Sequence, residues 1–369
     1  MFFKKFIIKP IIKESYKKFN FIRIILSSIF HKETNKLRIF FGGSRSGNVG
    51  GPLVKIKRLK KYFPEYSFRF NIVYTTSGNC FLTKSAVKHL KKKNYPIILN
   101  QNGVFYPAWF SGNYHDRNLL NQYLYHQADY IFWQSNFCKN TSEKFLGKRI
   151  GSGEILYNAV DTKVFRPTSR KDNNFNFLIT GSINKKNNYR ISSVLYALVD
   201  VLKYEPEVYL IIAGDIADKI YFISESKRLG IINNVKFLDK FKQEDAPKIY
   251  QMADAYITMS FQDNCPSAVI EAMSCGLPIL YSASGGIPEL VDKYSGIGLK
   301  VASSWQSIQI PDCEAISKGM INILENKRFM SKSSRKRAVE KFDIKYWYGR
   351  HEYIFNYYLE KLRNSSHNY

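Results

Sequence analysis

The sequence predicts an α/β chain built as two doubly wound domains, one after the other. Three observations lead there. Short apolar strands alternate with amphipathic helical stretches from Lys36 onward. A polar segment at 158–173, containing Pro167, interrupts that alternation, and a fresh strand restarts it. The chain has 369 residues, 45% of them hydrophobic, enough for two cores of ordinary domain size. Alternation of this kind gives mostly parallel, Rossmann-like sheets with helices on both faces.

The first stretch, 1–36, reads as a basic amphipathic helix. Ile12, Tyr16, Phe19, Ile22, Ile25 and Ile29 recur at helical spacing, with Lys13, Lys17 and Lys18 off that stripe. Up to Arg38 there are ten Lys/Arg against two Glu. Such a helix would lie on an anionic membrane surface or pack on its own domain.

The first domain is expected over 37–165. Its opening strand, Leu37 to Phe41, runs into glycines at 42, 43, 47, 50 and 51, and a helix follows with Leu53, Ile56, Leu59 and Phe63 on one face. A glycine-lined loop there would suit an anion or sugar, or be a turn without a ligand. Further strands are expected at Phe68 to Tyr74, Pro96 to Asn100, Asp129 to Trp133 and Glu154 to Tyr157. The second domain, 166–345, begins with strand Phe175 to Ile179, and strand Val208 to Ala213 ends in Gly214-Asp215. The aromatic-rich segment 346–369 is expected as a helix packing back on the first domain. Ligands of facing domains of this type sit in the cleft, at the carboxyl ends of the strands.

The most informative stretch is Ala253 to Val291. It reads as a buried strand, a polar loop, a short helix, a second strand and a Gly285-Gly286 turn. Pro266 suits the first turn of the short helix and Gly276 the left-handed residue that ends it. Asp263 and Glu271 bracket a helix N-terminus whose N–H groups attract anions.

Bulk properties narrow the classes. A formal charge of +26 points to phosphates, lipid or nucleic acid, or to a lysine-rich surface. The five scattered cysteines and six histidines show no disulfide framework or metal-ligand spacing, so a reducing compartment and no metal are expected. No apolar run reaches the roughly 18 residues of a membrane span. Lysines interrupt the early apolar stretch, and no secretory cleavage signal follows it.

Several segments, in order, resemble the retaining glycosyltransferases of the large family-four group (glycosyltransferase group 1). LYNAVDTKVFRP resembles that family's hinge, with Ala159 in place of a glycine. FLITGSI and LIIAGD resemble the opening strands of its second domain. DNCPSAVIEAMSCGLPILYSASGGIPELV resembles its donor-site core. NQNGVFYPAWF and FWQSNFCKNTSEKFLG resemble a subgroup with Asp-Asn-Cys-Pro in the donor loop.

The resemblance implies a GT-B fold and a nucleotide-sugar donor. It implies that Glu271 holds the nucleotide ribose and Asp263 contacts hydroxyls of the transferred sugar. Asp263 departs from the Glu usual there, which leaves the sugar open. Asn264, Cys265, Pro266 and Ser267 line the donor loop, with Cys265 read as a small semi-buried residue. Gly285, Gly286 and Glu289 match the family's Gly-Gly-x-x-Glu turn. After the second domain's first strand, Gly181 opens the loop GSINKKNNYR, where Ser182 replaces the family's Arg. Lys185, Lys186 and Arg190 compete to hold the pyrophosphate, and Arg190 is favoured because a guanidinium grips phosphate bidentately. In the first domain Gly50, Gly51, Asn102 and Gly103 are expected as an acceptor or phosphate loop.

The resulting expectation is a cytoplasmic hexosyltransferase, peripheral at the inner membrane face, that transfers a sugar to a glycan or lipid-linked acceptor with retention. No nucleic acid, cofactor or metal is expected. The rival readings are a GT-B epimerase or phosphorylase and a basic nucleic-acid-binding protein.

Overall fold

The computed structural model describes residues 2–30, 36–47, 51–78, 80–170 and 174–366, and the chain divides into two units. Unit 1 comprises residues 1–106, 110–156 and 348–369. Unit 2 comprises 107–109 and 157–347.

Unit 1 contains α1 (Phe2–Ile29), β1 (Ile39–Phe40), α2 (Gly51–Tyr62), β2 (Ile72–Thr76) and α3 (Lys84–Lys92). It continues with β3 (Ile97–Gln101), α4 (Tyr114–Gln127), β4 (Tyr130–Trp133), α5 (Asn136–Leu146) and β5 (Ser152–Ile155). The five strands are parallel and stand in chain order, β1-β2-β3-β4-β5. The doubly wound expectation therefore does not hold in this unit, because its strand order never reverses. Alternating strands and helices dictate parallel pairing and leave the order open.

Helix starts follow ordinary capping. Thr83, Asn113 and Ser135 each accept from the backbone N–H three residues on. Helix α1 lies against unit 1 through Tyr16, edge-on to Phe81, through buried Ile24, and through Ser27, which accepts from Arg69 N at 2.8 Å. Its apolar residues thus split between two faces. Phe19, Ile22, Leu26, Ile29 and Phe30 are 40–65% exposed. Periodicity shows a stripe but not which part of it meets the domain.

Unit 2 contains β6 (Phe175–Ile183), α6 (Tyr189–Val201), β7 (Val208–Ile216), α7 (Lys219–Arg228), β8 (Val235–Leu238) and α8 (Ala246–Tyr250). There follow β9 (Ala255–Thr258), α9 (Ser267–Ser274), β10 (Ile279–Ser282), α10 (Ile287–Leu290), β11 (Gly296–Leu299) and α11 (Cys313–Lys341). Helix α12 (Ile344–Ser366) starts in unit 2 and belongs to unit 1 from Tyr348 on.

The parallel sheet of unit 2 has the order β11-β10-β9-β6-β7-β8. It reverses between β6 and β9, so this unit is doubly wound. Successive residues of β6 face opposite ways. Phe177 and Ile179 join Val194, Leu198 and Ile316 on one side, and Leu178 joins Tyr250, Val269 and Met273 on the other.

Strands β6 and β7 run several residues past the expected ends, pairing through Ile183 and Ile216. Gly181 and Ser182 therefore lie in a strand, not in the loop expected after it. Gly181 sits opposite Gly214, where a Cβ would fall 2.1 Å from the Gly181 carbonyl oxygen. The two strands continue because both positions are glycine.

Helix α9 ends as expected. Gly276 has φ +79, its N–H reaches Met273 O at 2.9 Å, and Leu277 N reaches Ala272 O at 3.0 Å, a Schellman closure. Pro266 differs from expectation. It is the N-cap, with φ −68 and ψ 117, not a residue of the first turn.

The hinge segment packs within unit 2, which starts at Tyr157, ahead of the expected boundary at 166. Val160 N donates to Phe342 O and Ile344 N to Val160 O. Arg335 of α11 donates to Thr162 O, Phe165 O and Ser274 O at 2.7–3.0 Å, joining the hinge to the carboxyl end of α9. Its charge also suits that helix end. Replacing Arg335 by Met strands buried carbonyls, and the expected cost is about 2 kcal/mol. A urea midpoint unchanged from wild type would show that the guanidinium does not hold α9.

Candidate functional site

The reversal of strand order in unit 2 places the loops after β6 and β9 side by side, the usual position for a ligand in such a sheet. Phe261 N donates to the Tyr189 hydroxyl at 3.2 Å, and Gln262 N donates to Ser284 Oγ at 2.9 Å. Gln262 itself has φ +52, a strained conformation for a residue with a side chain. The loop after β10 closes on the same place, where Gly286 N donates to Asp263 O at 2.7 Å. Gly285 has φ +69, and a Cβ there would fall 2.4 Å from Asp263 O and 2.7 Å from Gln262 backbone. The turn can approach only because position 285 is glycine. The expected alternatives for this glycine, tight turn and close approach, both apply.

Three segments therefore meet at Asp263. Its Oδ1 accepts from Cys265 N at 3.1 Å. Burial raises its pKa, while the Arg190 charge and the Cys265 N–H pull it down. Arg190 also acts on the neighbouring Tyr189 and Tyr256 hydroxyls, whose pKa values burial raises.

The other two candidate cations lie elsewhere. Lys185 is exposed and sits 4.0 Å from Asp218 Oδ1, and Lys186 is exposed in the short turn capped by Asn184. Arg190 is the cation at the switch point. Around it, Arg190 Nε, Asn188 Oδ1, Gln262 Oε1 and Asn264 Oδ1 are buried without hydrogen-bond partners. In native proteins such atoms call for an explanation, and a bound polar molecule is one.

Glu271 lies on α9 and is 7% exposed. Gln243 Nε2 donates to its Oε1 at 3.0 Å and the Tyr250 hydroxyl to its Oε2 at 3.0 Å. Beneath it, Thr180 Oγ1 lies 3.4 Å from the Tyr250 hydroxyl and 3.0 Å from that of Tyr256. Burial drives the Tyr250 pKa well up, and the Glu271 charge adds to the effect. Burial and then Glu271 push Cys275 up to about 12. Gln243 and Tyr250 were not among the residues expected from sequence. Their partner lies 28 and 21 positions away, and the only local signal is the recurrence of Tyr250 and Tyr256 beside a buried strand.

Pro266 caps α9 without a side-chain acceptor, so the N–H groups at Ser267 and Ala268 start the helix uncapped by it. Cys265 is buried as expected. Its Sγ accepts from Asn158 N at 3.2 Å and its carbonyl from Asn158 Nδ2 at 2.6 Å, which ties the loop to the hinge. Glu289 accepts from the Tyr157 hydroxyl at 3.1 Å, and burial with this charge pushes Tyr157 up to about 12.

In unit 1, Gly50 lies outside the described residues. Gly51 opens α2, with nothing within 4 Å of where a Cβ would be. Gly103 has φ +141, and its carbonyl accepts from Gln101 Nε2 at 2.7 Å.

Asn102 is engaged throughout. Its Nδ2 donates to Ser77 O and Asn100 O, and its Oδ1 accepts from Gln134 and from Lys55 Nζ. It braces the ends of β2, β3 and β4. Lys55 was placed by its sequence off the apolar stripe of α2, yet it is only 5% exposed. Among the described residues, no group of three or more His, Cys, Asp or Glu side chains could hold a metal ion.

Comparison with known proteins adds the family. Residues 161–341 match the family described as glycosyl transferases group 1. Spore coat protein SA of Bacillus subtilis (strain 168) is 30% identical over 107 residues, 27% of this chain and 28% of that one. N-acetyl-alpha-D-glucosaminyl L-malate synthase of Bacillus anthracis is 23% identical over 178 residues, 47% of this chain and 44% of that one. The chain thus spans less than half the length of these curated relatives. The crystal structure of Anabaena Alr3699/HepE in complex with UDP and glucose superposes with a TM-score of 0.61 at 18% identity. That likeness covers 82% of this chain and 81% of the other and concerns the fold, the two-sheet GT-B architecture. Through residues 161–341, which carry the converging loops and α9, this chain belongs to the group 1 glycosyl transferases.

Proposed function

We propose that the protein transfers a hexosyl group from a nucleotide sugar to a glycan or lipid-linked acceptor with retention of anomeric configuration. The observation that carries this reading is the convergence at the switch point of unit 2. Asp263, Arg190, the start of α9 and Glu271 come from three separate segments and lie around one place. The nucleotide ribose sits on Glu271, whose carboxylate accepts from a diol as no neutral side chain does. The pyrophosphate lies at the first N–H groups of α9 with Arg190 as countercharge. There they offset the negative charge that builds as the leaving group departs. Asp263 accepts hydroxyls of the transferred sugar.

The donor pyrophosphate takes the acceptor proton on the face where the new bond forms, so no protein nucleophile is assigned and no metal is invoked. Uridine diphosphate is the nucleotide to test first, since resembling structures hold UDP, UDP-glucose, or UDP with GlcNAc. Helix α1 supports a peripheral site on an anionic membrane at the cytoplasmic face. Its exposed Phe19, Ile22, Leu26 and Ile29 form a stripe flanked by Lys17, Lys18 and Arg23. No helix of the described residues is long and apolar enough to cross a membrane.

Substituting Glu271→Gln is expected to weaken UDP binding by about 100-fold, near 3 kcal/mol, in calorimetry. Wild-type affinity in that variant would remove Glu271 from the nucleotide site.

Because burial raises the Asp263 pKa, the acid limb of kcat/KM should lie above the ordinary aspartate range, with activity lost as pH falls through it. Arg190→Gln should move that limb further up and Arg190→Lys should largely restore it. The stability sign is opposite. Between the ordinary and the raised pKa the folded state holds the extra proton, so Asp263 favours the fold at low pH and loses that contribution as pH rises. An acid limb insensitive to Arg190 would separate the two residues.

Ile22→Glu with Leu26→Glu alters exposed positions and is expected to release the protein from vesicles containing anionic lipid while its melting temperature stays unchanged. Equal co-sedimentation of variant and wild type would exclude α1 as the membrane contact.

A further inference from the structure

The carboxyl ends of β2 and β3 carry polar groups that the donor site does not use. Lys55 reaches them from α2, with its Nζ 2.7 Å from Asn100 Oδ1 and 2.9 Å from Asn102 Oδ1. Both oxygens belong to neutral amides. Asn102 is anchored by Ser77, Asn100 and Gln134, so its position is set by the strand ends themselves.

Thr76 and Asn100 are cross-strand partners, so their side chains share one face of the sheet. Both residues are fully buried, and Thr76 Oγ1 and Asn100 Nδ2 have no hydrogen-bond partner. Burying polar atoms unpaired is unfavourable, and the strand ends could have been apolar at no cost to pairing. All three groups, the ammonium, the amide N–H and the hydroxyl, can donate. Convergent donors beside a buried cation suit an oxyanion.

We propose that these strand ends form an acceptor subsite that takes an oxyanion, a phosphate or carboxylate borne by the acceptor sugar. This rests on the glycosyltransferase reading above. Lys55 supplies the countercharge, and Thr76 and Asn100 donate to the oxygens. Asn102, already saturated, positions Lys55 and does not touch the ligand. The acceptor is thus an acidic or phosphorylated saccharide.

The test titrates glucose 6-phosphate, glucuronate and glucose into the full chain by calorimetry. The acid that binds, at least ten-fold tighter than glucose, identifies the oxyanion. Lys55→Gln is expected to lose at least ten-fold in that affinity.

Thr76→Val is the sharper variant because it removes a hydroxyl that holds nothing in the fold. It should keep the wild-type melting temperature and still lose several-fold in affinity. A purely structural role for Thr76 predicts no loss. Asn100→Asp, nearly isosteric, should abolish binding by occupying Lys55 with an internal carboxylate. Equal affinity for glucose and both acids, or acid binding unchanged in Thr76→Val and Asn100→Asp, would overturn the subsite. A separate titration of wild type with UDP keeps the two readings apart. Failure to bind UDP together with Thr76-dependent acid binding would sink the donor assignment and leave this subsite standing.

Discussion

A carboxylate carried into the interior on a short helix has to be held by hydrogen bonds, and unit 2 is arranged around that requirement. Glu271 is nearly inaccessible, yet Gln243 and Tyr250 each donate to one of its oxygens. Tyr250 in turn rests on Thr180 of β6, which also meets Tyr256 of β9. The chain of contacts runs from the helix into the two strands that flank the reversal of the sheet. Removing one partner would leave a buried charge without its donor, the costly direction for any such group. The position of α9 is therefore tied to the central strands, and Arg335 ties its other end to the hinge.

A second constraint acts on the loops. Asp263 is placed by backbone contacts: Gly286 N donates to its carbonyl, and Gly285 allows the approach that any Cβ would block. Gln262 accepts a left-handed backbone conformation beside it. Local strain of this kind survives only where surrounding contacts fix it. Here those contacts come from Ser284 and Tyr189, on two different loops. The result is a carboxylate held in the field of Arg190 by rigid segments, which suits recognition of a polar ligand.

Much of this was readable from the sequence because its signals are local. Strand, polar loop, helix and Gly-Gly turn follow one another between Ala253 and Val291, and Gly276 ends α9 as its residue type requires. Arg190 could be favoured over Lys185 and Lys186 by side-chain chemistry, and the structure places it at Asp263. What escaped depends on distant pairing. Gly181 lies in a strand because Gly214 faces it across β7. Tyr250 and Gln243 matter because of Glu271, more than twenty residues on. Lys55 looked like a solvated helix residue, since nothing near it in sequence announces Asn100 and Asn102. The strand order of unit 1 and the division of α1 into inward and outward faces have the same origin. Periodicity reports that a face exists, and tertiary packing decides what it meets.

The central claim is that one ligand, a nucleotide sugar, brings the loops after β6, β9 and β10 together with α9. Hydrogen–deuterium exchange with and without UDP-sugar tests it directly. The account predicts slowed exchange in residues 181–190 and 260–289, with the strongest change at the start of α9. Protection confined to segments outside unit 2, or none at saturating nucleotide sugar, would contradict it.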